Sequence, residues 1–558
     1  MSDNRVYGID LGTTYSCIAY VDEYGKPVVV TNSEGDLTTP SVVWFETADN
    51  IVVGQTAKEV ASLHKGRVVS TIKRSMGDPN FEFSCDGKSY TPQEISSHIL
   101  RKVVRDAENN TGDTIKDVVI TCPAYFGLNQ KEATKQAGII AGLNVLYVIP
   151  EPTAAALAYG IEQEQDQVIL VYDLGGGTFD ITLIEIKQGG IKVISTGGDD
   201  KLGGKNWDES VVDYFARVFE EETGAQASDL LSDMETYQEM LNAAERSKRK
   251  LSSATSVKEK VQHGADRAQI EMTREKFDQI TAQWLERTIS FTEEMVETAK
   301  QRGYAKIDKL LLVGGSSYMP QVMDRVKQSF PFEVKIYDPN QAVAKGAAIF
   351  GFKCHLENEV KKLLSQETGQ SEESIALDEV AEEKKEKLLG EVAGKHGYAL
   401  PGAKRLFGTS VENVASKSFG IVVIEEREGK PVEAVNNLVI KDETVPVEVT
   451  REFCTYSESQ AQVDLRIREN QIRTGPHETV ELEHCQVVAD AALEFERPLP
   501  KGSPIEVTFK LGPDGLLTMD AKDLTTGRDI HVEQKTEGIM SKEELAQAAS
   551  RNLAMKVS

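Results

Sequence analysis

A short phrase occurs twice in this chain, as DLGTTYSC at residues 10–17 and as DLGGGTFD at residues 173–180. Each copy follows an apolar, β-branched run and precedes another, which is typical of two short strands joined by a turn. Each hairpin continues into a third apolar run, KPVVV after the first copy and IKVIS after the second. The sequence therefore predicts two meanders of three strands, each with an aspartate immediately before a turn rich in Gly or Thr.

The likeness between the two parts of the chain extends beyond the meanders. The apolar run DVVITCP precedes the helical stretch NQKEATKQAGIIAGL in the first half, as KLLLVGGSS precedes MPQVMDRVKQSF in the second. No period of a few tens of residues appears, so a solenoid is not indicated. We interpret the pattern as a duplicated α/β unit whose two Gly-rich hairpins face one another across a cleft.

Composition limits the classes of partner and the compartment. The length of 558 residues is sufficient for three or four domains. A net charge of −26 argues against a nucleic-acid partner, since duplex binding requires a basic face. The six cysteines include no CxxC pair, so neither a zinc site nor a disulfide framework is indicated. This cysteine usage favours a reducing compartment. No signal peptide precedes the first strand and no apolar run approaches membrane-spanning length, so we expect a cytoplasmic protein without a membrane partner.

The organisation of the chain changes twice after the duplicated unit. Beyond Lys353 comes a charged, helix-forming tract that includes LDEVAEEKKEKLLGEVAGK, and from Ser418 onward β-rich runs alternate with turns. In the final stretch, Ser541 and Glu544 have the spacing of a capping box, which predicts one helix. We therefore divide the chain into an α/β domain at 1–355, a charged helical insertion or linker at 356–413, an antiparallel β domain at 414–538 and a short C-terminal helix at 539–558.

The turns of the two hairpins carry the strongest chemical signal. Gly accepts positive φ and lacks a Cβ, so successive N–H groups of such a turn can point into one concavity that holds phosphate oxygens. Asp10, Asp173 and Asp180 would add oxygen ligands or water acceptors for a hydrated Mg²⁺. One Gly-rich hairpin is more often a simple tight turn, but a matched pair with aspartates at the same position favours phosphate binding. The chain lacks GxxxxGKS, GxxxxGKT and GxGxxG, so neither a P-loop nor a dinucleotide fold is indicated.

Further stretches follow the hairpins in a characteristic order. They are PEPTAAALAYG, GGDDKLGGKNWD, AERSKRKLSS and LLVGGSSYMP, and later TVPVEVTREFCTYSESQAQVDLRI and GSPIEVTFKLGPDGLLTMDAKDLTTGRDI. Together with IDLGTTYSC and VYDLGGGTFD, they resemble the motifs of the seventy-kilodalton heat-shock chaperone family of the DnaK type. The resemblance covers about residues 5–353 and returns in the β domain. It implies an α/β actin-like ATPase domain, ribonuclease-H-like and duplicated, followed by an antiparallel β-sandwich that binds peptides.

The resemblance also implies which residues act on the nucleotide. Lys73 matches a lysine that positions the attacking water, and Glu151 matches the carboxylate opposite it. Asp10 and Asp173 match residues of the Mg²⁺ and K⁺ shell, and ATP or ADP with these cations are the implied cofactors. The implied catalytic residues are Lys73, Glu151, Asp173, Thr178 and Asp180, the last two near the γ-phosphate, and the implied metal residues are Asp10 and Asp173.

Further residues are implied to bind the nucleotide or the peptide. Without the resemblance, AERSKRKLSS would be interpreted as a solvated basic helix face, and the apolar positions of the β domain as an ordinary sandwich core. The implied nucleotide-binding residues are Asp10, Gly12, Thr13, Thr14, Tyr15, Gly175, Gly176, Gly177, Gly203, Gly204, Glu245, Lys248, Arg249, Ser252, Gly314, Gly315, Ser316 and Tyr318. The implied peptide-binding residues are Ile421, Ile424, Phe453, Tyr456, Val463 and Leu465.

Four positions of the nucleotide site depart from the family pattern. Tyr318 stands where the family usually has an arginine stacked on adenine, and an aromatic ring can stack there too. Asn340 replaces a usual aspartate, and Lys205 with Asn206 replaces an acidic pair. We expect ATP to bind, and the sequence predicts no consequence for the last three substitutions.

The interdomain linker and the segments that bind co-chaperones depart from the family pattern more strongly. The acidic, leucine-rich linker of the family is absent before Val414, where KRLFGTSVENVASKSFG stands instead. Tyr147 and Pro150 occupy positions that are basic and Asn in the family, next to the docking site of a J-domain. Residues 539–558 provide about one helix where the family has a long helical lid. Interdomain coupling, and the use of a J-domain co-chaperone and a nucleotide exchange factor, therefore stay open.

The sequence thus predicts an atypical ATP-dependent chaperone of the stress response. It would be a slow ATPase whose β domain binds extended hydrophobic segments of unfolded proteins and releases them under the control of ATP. Two alternatives stay open, a small-molecule kinase of the same ATPase fold and a nucleotide-gated adaptor that does not hydrolyse ATP. A kinase or an actin-like filament protein would explain the hairpins but not the β domain.

Overall fold

The computed structural model describes residues 5–64, 66–163, 165–187, 190–472, 478–512, 515–533 and 539–558. Within these ranges, none of the helices combines the length and the apolar character that a bilayer crossing requires.

The first half of the duplicated unit is built around the strand Tyr7–Asp10. This strand pairs in parallel with Asp117–Cys122 and antiparallel with Tyr15–Val21. The sheet continues on one side with Asn144–Pro150 and on the other with Pro27–Val29. The aspartate that ends the central strand therefore lies at the carboxyl edge of the parallel strands, where α/β sheets usually bind ligands.

The second half repeats this arrangement around the strand Gln167–Leu174. It pairs in parallel with Lys309–Val313 and antiparallel with Phe179–Lys187. Glu333–Ile336 and Gly190–Asp199 continue the sheet on its two sides. The two sheets thus share strand order and strand directions, which confirms the predicted duplication.

Two helices lie between the sheets, Glu151–Gly160 and Ala342–Thr368. Every residue of the first helix is buried. The helices approach so closely that a Cβ added to Gly346 would be 1.7 Å from the carbonyl oxygen of Ala154. Their shared core includes side chains of both sheets, among them Val119, Ile149, Ile169 and Val171. The two halves are therefore joined through one continuous core.

The charged tract after Lys353, which the sequence predicted to be a helical insertion or linker, forms helices that pack on the first half. Helix Ala342–Thr368 runs through the predicted boundary between 355 and 356, and helices Glu382–His396 and Leu400–Phe407 pack against it. Charged side chains dominate the composition of this tract and concealed a narrow apolar face at helical spacing. That face is buried in the same core as strand Tyr15–Val21 and includes Leu388, Leu389 and Val392. These helices therefore belong to the first half.

The β domain consists of two antiparallel sheets packed face to face, as the alternating pattern predicted. One sheet contains, in spatial order, Thr479–Glu481, Lys430–Val439, Phe419–Arg427, Gln460–Asn470 and Cys485–Leu499. The other contains Val447–Cys454, Pro504–Leu511, Leu517–Asp523 and Asp529–Glu533. Side chains from both sheets form the core between them, including Phe419, Leu465, Val507, Phe509 and Met519.

Strand Val411–Val414 joins the β domain to the second half. It pairs in parallel with Ile191 and Lys192 at the edge of the second sheet, and antiparallel with Thr444–Val445. The Ile191 N–H also donates to the carbonyl oxygen of Ser410 at 2.8 Å. The segment that stands in place of the family's acidic linker therefore extends the sheet of the second half.

Two carboxylates of the β domain contact the α/β halves. Glu469 accepts a hydrogen bond from the Leu128 N–H at 3.0 Å and so caps the helix that begins there. Asp442 accepts hydrogen bonds from the Ser195 hydroxyl group at 2.8 Å and from the Thr196 N–H at 3.1 Å. The β domain is thus docked on both halves.

The C-terminal stretch forms helix Lys542–Ala554, which begins with the predicted capping box of Ser541 and Glu544. The helix packs on two helices of the first half, Pro92–Thr111 and Leu128–Ile140. A short strand follows, which the sequence did not predict. It is Lys556–Val557, and it joins a sheet formed by Val42–Thr47, Asn50–Val53 and Val68–Ser70.

The remaining elements complete the two halves. The other strands there are Thr39–Pro40, Ser84–Cys85, Lys88–Ser89, Ser256–His263 and Asp266–Thr273. The other helices are Gln55–Glu59, Gly204–Thr223, Ala227–Ser232, Met234–Leu251, Arg274–Gln301 and Pro320–Ser329. Single 3₁₀ turns are found at Ile72–Ser75, Gly315–Tyr318, Glu372–Ser374 and Leu377–Glu379, and at Leu482–His484 in the β domain.

Candidate active site

The turns of the two hairpins lie against each other. A Cβ added to Gly176 would be 2.3 Å from the hydroxyl oxygen of Thr14, and one added to Gly177 would be 2.3 Å from Cγ2 of Thr13. Gly203 packs on the backbone of Gly177, where an added Cβ would be 2.6 Å from the carbonyl carbon. Only glycine permits such an approach. The two halves therefore meet through the motifs that the sequence singled out.

A cluster of charged side chains accompanies the hairpins. Lys73 is 4% exposed, and its ammonium group donates to a carboxylate oxygen of Glu151. Asp173 and Asp180 are buried near this pair, and Asp10 lines the same cavity as the lysine. Four carboxylates therefore gather around one ammonium group.

The crowding of these carboxylates changes their acidity. Burial, and then the charge of Glu151, raise the pKa of Asp10 to about 7. The same two causes raise the pKa of Asp173 and of Asp180 well above the ordinary range. Burial by itself lowers the pKa of Lys73, but Glu151 and Asp10 raise it above its ordinary value. The ammonium group is therefore charged, and the carboxylates favour a cation in their midst.

The cluster can hold a hydrated divalent cation. Oδ2 of Asp180 is buried without a hydrogen-bond partner among the described residues. In the part of the chain that the structure describes, no group of three or more His, Cys, Asp or Glu side chains could hold a metal ion directly. Mg²⁺ dehydrates reluctantly and usually keeps several waters. The carboxylates can therefore bind the water shell of such a cation.

A network around Tyr15 closes one side of the cleft. The Tyr15 hydroxyl group donates to Glu245 at 3.1 Å and accepts a hydrogen bond from Lys58 at 2.9 Å. Lys58 also pairs with Glu245 at 2.5 Å, and Arg249 donates to the Tyr15 hydroxyl oxygen at 3.2 Å. Although burial raises the pKa of Glu245, Lys58 lowers it below its ordinary value. Since helix Met234–Leu251 belongs to the second half, this network holds the two halves together.

The turns of the second half are tied to its hairpin. The Ser316 hydroxyl group donates to the carbonyl oxygen of Gly175 at 2.8 Å. Lys248 donates to the carbonyl oxygen of Gly204 at 3.0 Å and pairs with Asp208 at 2.6 Å. Lys248 of AERSKRKLSS is therefore held in place beside the turn of Gly204 by its ion pair with Asp208.

One cavity of about 890 Å³ runs between the hairpins and these walls. A cavity of this size accommodates a nucleotide. Four predicted residues do not line it, since Gly177, Gly203 and Gly204 pack behind the hairpin surface and Asp180 is buried. The predicted residues that line it are Asp10, Gly12, Thr13, Thr14, Tyr15, Lys73, Glu151, Asp173, Gly175, Gly176, Thr178, Glu245, Lys248, Arg249, Ser252, Gly314, Gly315, Ser316 and Tyr318.

The departures from the family pattern have specific contacts. Asn206 accepts a hydrogen bond from the Gly203 N–H at 2.9 Å, which caps the helix that follows, and another from Arg74 at 3.3 Å. Lys205 lines the cavity, as does Asn340. Tyr318 also lines it and is 47% exposed, so a face of its ring is accessible for stacking on a base.

The sequence did not predict two residues that join the halves. Arg74 donates two hydrogen bonds to the carbonyl oxygen of Gly177, at 2.9 and 2.6 Å. Its position directly after Lys73 was the only available signal. Lys58 lies in QTAKE, which matches no motif, and its partner Glu245 is distant in sequence. Contacts of this kind depend on how the two halves pack.

The six predicted peptide-binding residues do not share one surface. Ile421 and Ile424 are three residues apart on one strand, so their side chains point to opposite faces. Ile421 and Leu465 are buried in the sandwich core. Phe453 and Val463 are half-buried, and Ile424 and Tyr456 are exposed. In this conformation Ile421 and Leu465 are therefore ordinary core residues.

The fold and the cavity define a class, a two-lobed nucleotide-binding α/β unit with an attached β-sandwich. The family model described as Hsp70 protein matches residues 6–84, 77–368 and 397–557. The chaperone protein DnaK of Thermosipho melanesiensis is 35% identical over 540 residues, which cover 95% of this chain and 80% of that protein. The chain belongs to the Hsp70 family.

Family membership confirms the predicted class of activity. The protein is an ATP-dependent chaperone with ATPase activity, and members of the family bind ATP and ADP, in general with Mg²⁺. Unfolded polypeptides and co-chaperones are its partners in general terms. The small-molecule kinase and the adaptor without hydrolysis find no support.

Proposed function

We propose that ATP is hydrolysed in the cavity between two halves of actin-like, ribonuclease-H-like fold. The observation that carries this proposal is the buried pair of Lys73 and Glu151, surrounded by three aspartates and set beside hairpins that touch through glycine. Phosphoryl transfer requires positioning and charge neutralisation more than covalent chemistry. The cluster supplies both.

The charged residues divide the catalytic work. Lys73, held by Glu151, orients the attacking water and neutralises charge on the transferred group. Asp10 and Asp173, which line the cavity, would hold the water shells of Mg²⁺ and K⁺, and buried Asp180 would add its negative charge to the same cluster. Mg²⁺ supplies neutralisation of the phosphate oxygens when it is bound. Because the lysine is buried, its charge acts with little screening by solvent.

The remaining predicted residues hold the nucleotide. Thr13, Thr14 and the turn 175–178 bind phosphate oxygens through their N–H and hydroxyl groups. The exposed ring of Tyr318 stacks on the base, opposite the aliphatic stems of the helix Met234–Leu251. Glu245 and Ser252 lie on that helix face and its C-cap, where they can bind ribose hydroxyl groups. We thus assign adenine and ribose to the wall formed by this helix and the turn at 314–318.

The β domain would bind extended hydrophobic segments through side chains that are at least partly accessible. Ile424 and Tyr456 are exposed and Phe453 and Val463 are half-buried, so they can contact a peptide directly. Main-chain hydrogen bonds to an extended peptide do not depend on its side chains, so such a site can bind peptides of different sequence. Ile421 and Leu465 would join this surface only after a rearrangement that opens the core.

The partners and the location follow from the same assignment. A J-domain co-chaperone and a nucleotide exchange factor would act on the ATPase halves, although Tyr147 and Pro150 depart from the family at the J-domain position. A cytoplasmic location fits the net charge of −26 and the six cysteines, which are all free of disulfides.

The substitution Lys73→Ala tests the catalytic assignment. Single-turnover hydrolysis should fall at least about 100-fold, which is typical of losing a group that acts on the transferred proton or charge. Binding of a fluorescent ATP analogue should change by less than about threefold, because the hairpins and the base-stacking wall are intact.

Two further variants make this test decisive. Lys300→Ala changes an exposed lysine and should leave both hydrolysis and binding unchanged. Adding Glu151→Gln to Lys73→Ala removes the unpaired buried carboxylate and keeps the protein folded if the single variant is unstable. Equal losses of binding and hydrolysis in a folded variant would contradict the assignment.

A further inference from the structure

Four lysines among the residues that the structure describes line the nucleotide cavity, and three of them are closely paired with a carboxylate. The three pairs are Lys58 with Glu245, Lys73 with Glu151 and Lys248 with Asp208. The fourth lysine is Lys205, whose ion pair with Glu209 measures 3.8 Å, beyond hydrogen-bonding distance. Lys205 is therefore the lysine of the cavity whose charge is least compensated.

The pair of Lys205 and Glu209 holds the ammonium group only weakly. The two side chains are 31% and 40% exposed, so solvent screens their attraction. They lie four residues apart on helix Gly204–Thr223 with the lysine first, which is the less favourable order for such a pair. The ammonium group can therefore exchange this partner for a ligand in the cavity at little cost.

The backbone of Lys205 is fixed beside the turn at 175–178. Its N–H donates to the carbonyl oxygen of Gly176 at 2.8 Å. Gly176 is also the residue that touches Thr14 of the opposite hairpin, where an added Cβ would be 2.3 Å from the hydroxyl oxygen. The side chain of Lys205 thus enters the cavity next to the point where the two hairpins meet.

A second cation lies at the same turn. Arg74 donates two hydrogen bonds to the carbonyl oxygen of Gly177, at 2.9 and 2.6 Å, and one to the side-chain oxygen of Asn206 at 3.3 Å. These acceptors are neutral. Burial lowers the pKa of Arg74, and the nearby carboxylates, Glu209 first among them, do not reverse this. An acidic residue at 206 would neutralise Arg74, whereas the amide leaves a positive potential that favours an anion.

We propose that Lys205 is a phosphate-binding residue of this ATPase, which retains ATP and ADP through their phosphate groups. This inference rests on the proposal that the nucleotide binds in this cavity. Lysine and phosphate form a charge-assisted hydrogen bond, and Lys205 is free of the close carboxylate that Lys58 and Lys248 would have to leave. The acidic pair of the family would repel phosphate at 205 and 206, so the two substitutions together favour retention of the nucleotide.

The substitution Lys205→Met tests this assignment, because it keeps a flexible, unbranched side chain and removes the charge. Displacement of a fluorescent ATP analogue should show affinities for ADP and ATP that are at least about fivefold lower, as expected for a charged hydrogen bond partly screened by solvent. The affinity for adenosine, which has no phosphate, should change by less than about twofold. ADP should dissociate faster by a similar factor, and Lys205→Arg should restore most of the affinity because it keeps the charge.

Two further variants serve as controls. Lys201→Met changes an exposed lysine of the same segment that does not line the cavity, and it should leave all three affinities unchanged. Tyr318→Ala removes the ring assigned to the base and should weaken adenosine, ADP and ATP by the same factor, whatever the role of Lys205.

These variants separate the two proposals. If Tyr318→Ala weakens all three ligands while Lys205→Met leaves the affinities for ADP and ATP unchanged, the assignment of Lys205 is overturned and the nucleotide site stands. Equal losses for adenosine and ADP in Lys205→Met would overturn it as well, because a general defect of the cavity does not depend on phosphate. If Tyr318→Ala changes none of the three affinities, the placement of the nucleotide fails, and the assignment of Lys205 fails with it.

Discussion

His98 is a buried imidazole at the junction of helix Lys542–Ala554 and the first half. Its Nδ1 accepts a hydrogen bond from the Asn552 side chain at 3.2 Å, and Nε2 has no partner among the described residues. It lines a cavity of about 180 Å³ together with Glu94 of its own helix and Arg551 of the C-terminal helix. Burial, and then the charge of Arg101, lower the pKa of His98 to about 3.

This histidine should make the stability of the protein depend on pH. In the unfolded chain its pKa is about 6.5, so between pH 6.5 and about 3 only the unfolded chain binds the proton. The free energy of unfolding should therefore fall by up to about 1.4 kcal/mol per pH unit as the pH decreases through this window. Above pH 6.5 the group contributes no pH dependence.

Urea unfolding of the wild type and of His98→Gln at about pH 7.5 and 5.5 isolates this contribution. The wild type should lose on the order of 1 kcal/mol more than the variant across that interval. His484→Gln is the control, because that side chain is 52% exposed and its removal should leave the pH dependence unchanged. Parallel pH curves for the wild type and His98→Gln would contradict the prediction.

Residues were predictable where a motif fixed their context. Lys73 and Glu151 were predicted together from TIKRSMGD and PEPTAAALAYG, and the structure pairs them. Lys58, Arg74 and His98 were not predicted. Each depends on a partner from a distant part of the chain, and no local pattern of charge or hydrophobicity distinguishes such a residue from a solvated one.

At the scale of elements, two helical glycines have opposite environments. In helix Ala342–Thr368, a Cβ on Gly346 would be 1.7 Å from the backbone of Ala154. In helix Glu382–His396, a Cβ on Gly390 would have no atom within 4 Å. Gly346→Ala should lower the free energy of unfolding by about 1 to 3 kcal/mol or more, because the two helices must separate. Gly390→Ala should raise it by up to about 1 kcal/mol, because alanine favours the helix.

Urea unfolding of both variants measures these two changes, and the same substitution in each helix makes them mutual controls. An increase in the free energy of unfolding for Gly346→Ala, as for Gly390→Ala, would show that the close approach of the helices is not what requires Gly346.

Long elements with a clear periodic pattern of apolar and polar residues were the most predictable. The meanders and the strands of the β domain have clear period-two patterns, and the structure contains them. The helices after Lys353 were predicted as a helical insertion or linker, and their charge concealed the apolar face that packs on strand Tyr15–Val21. Strands Val411–Val414 and Lys556–Val557 are too short to have a pattern. Each exists only because a sheet edge from a distant part of the chain is there to pair with it.

At the scale of the whole molecule, the duplication was predictable and the docking of the domains was not. Two copies of one sequence motif, DLGTTYSC and DLGGGTFD, indicate two copies of one structural unit. The contacts of Glu469, Asp442 and strand Lys556–Val557 join segments that are far apart in sequence, and each involves a single polar group or a few residues. Docking therefore became visible only in the structure.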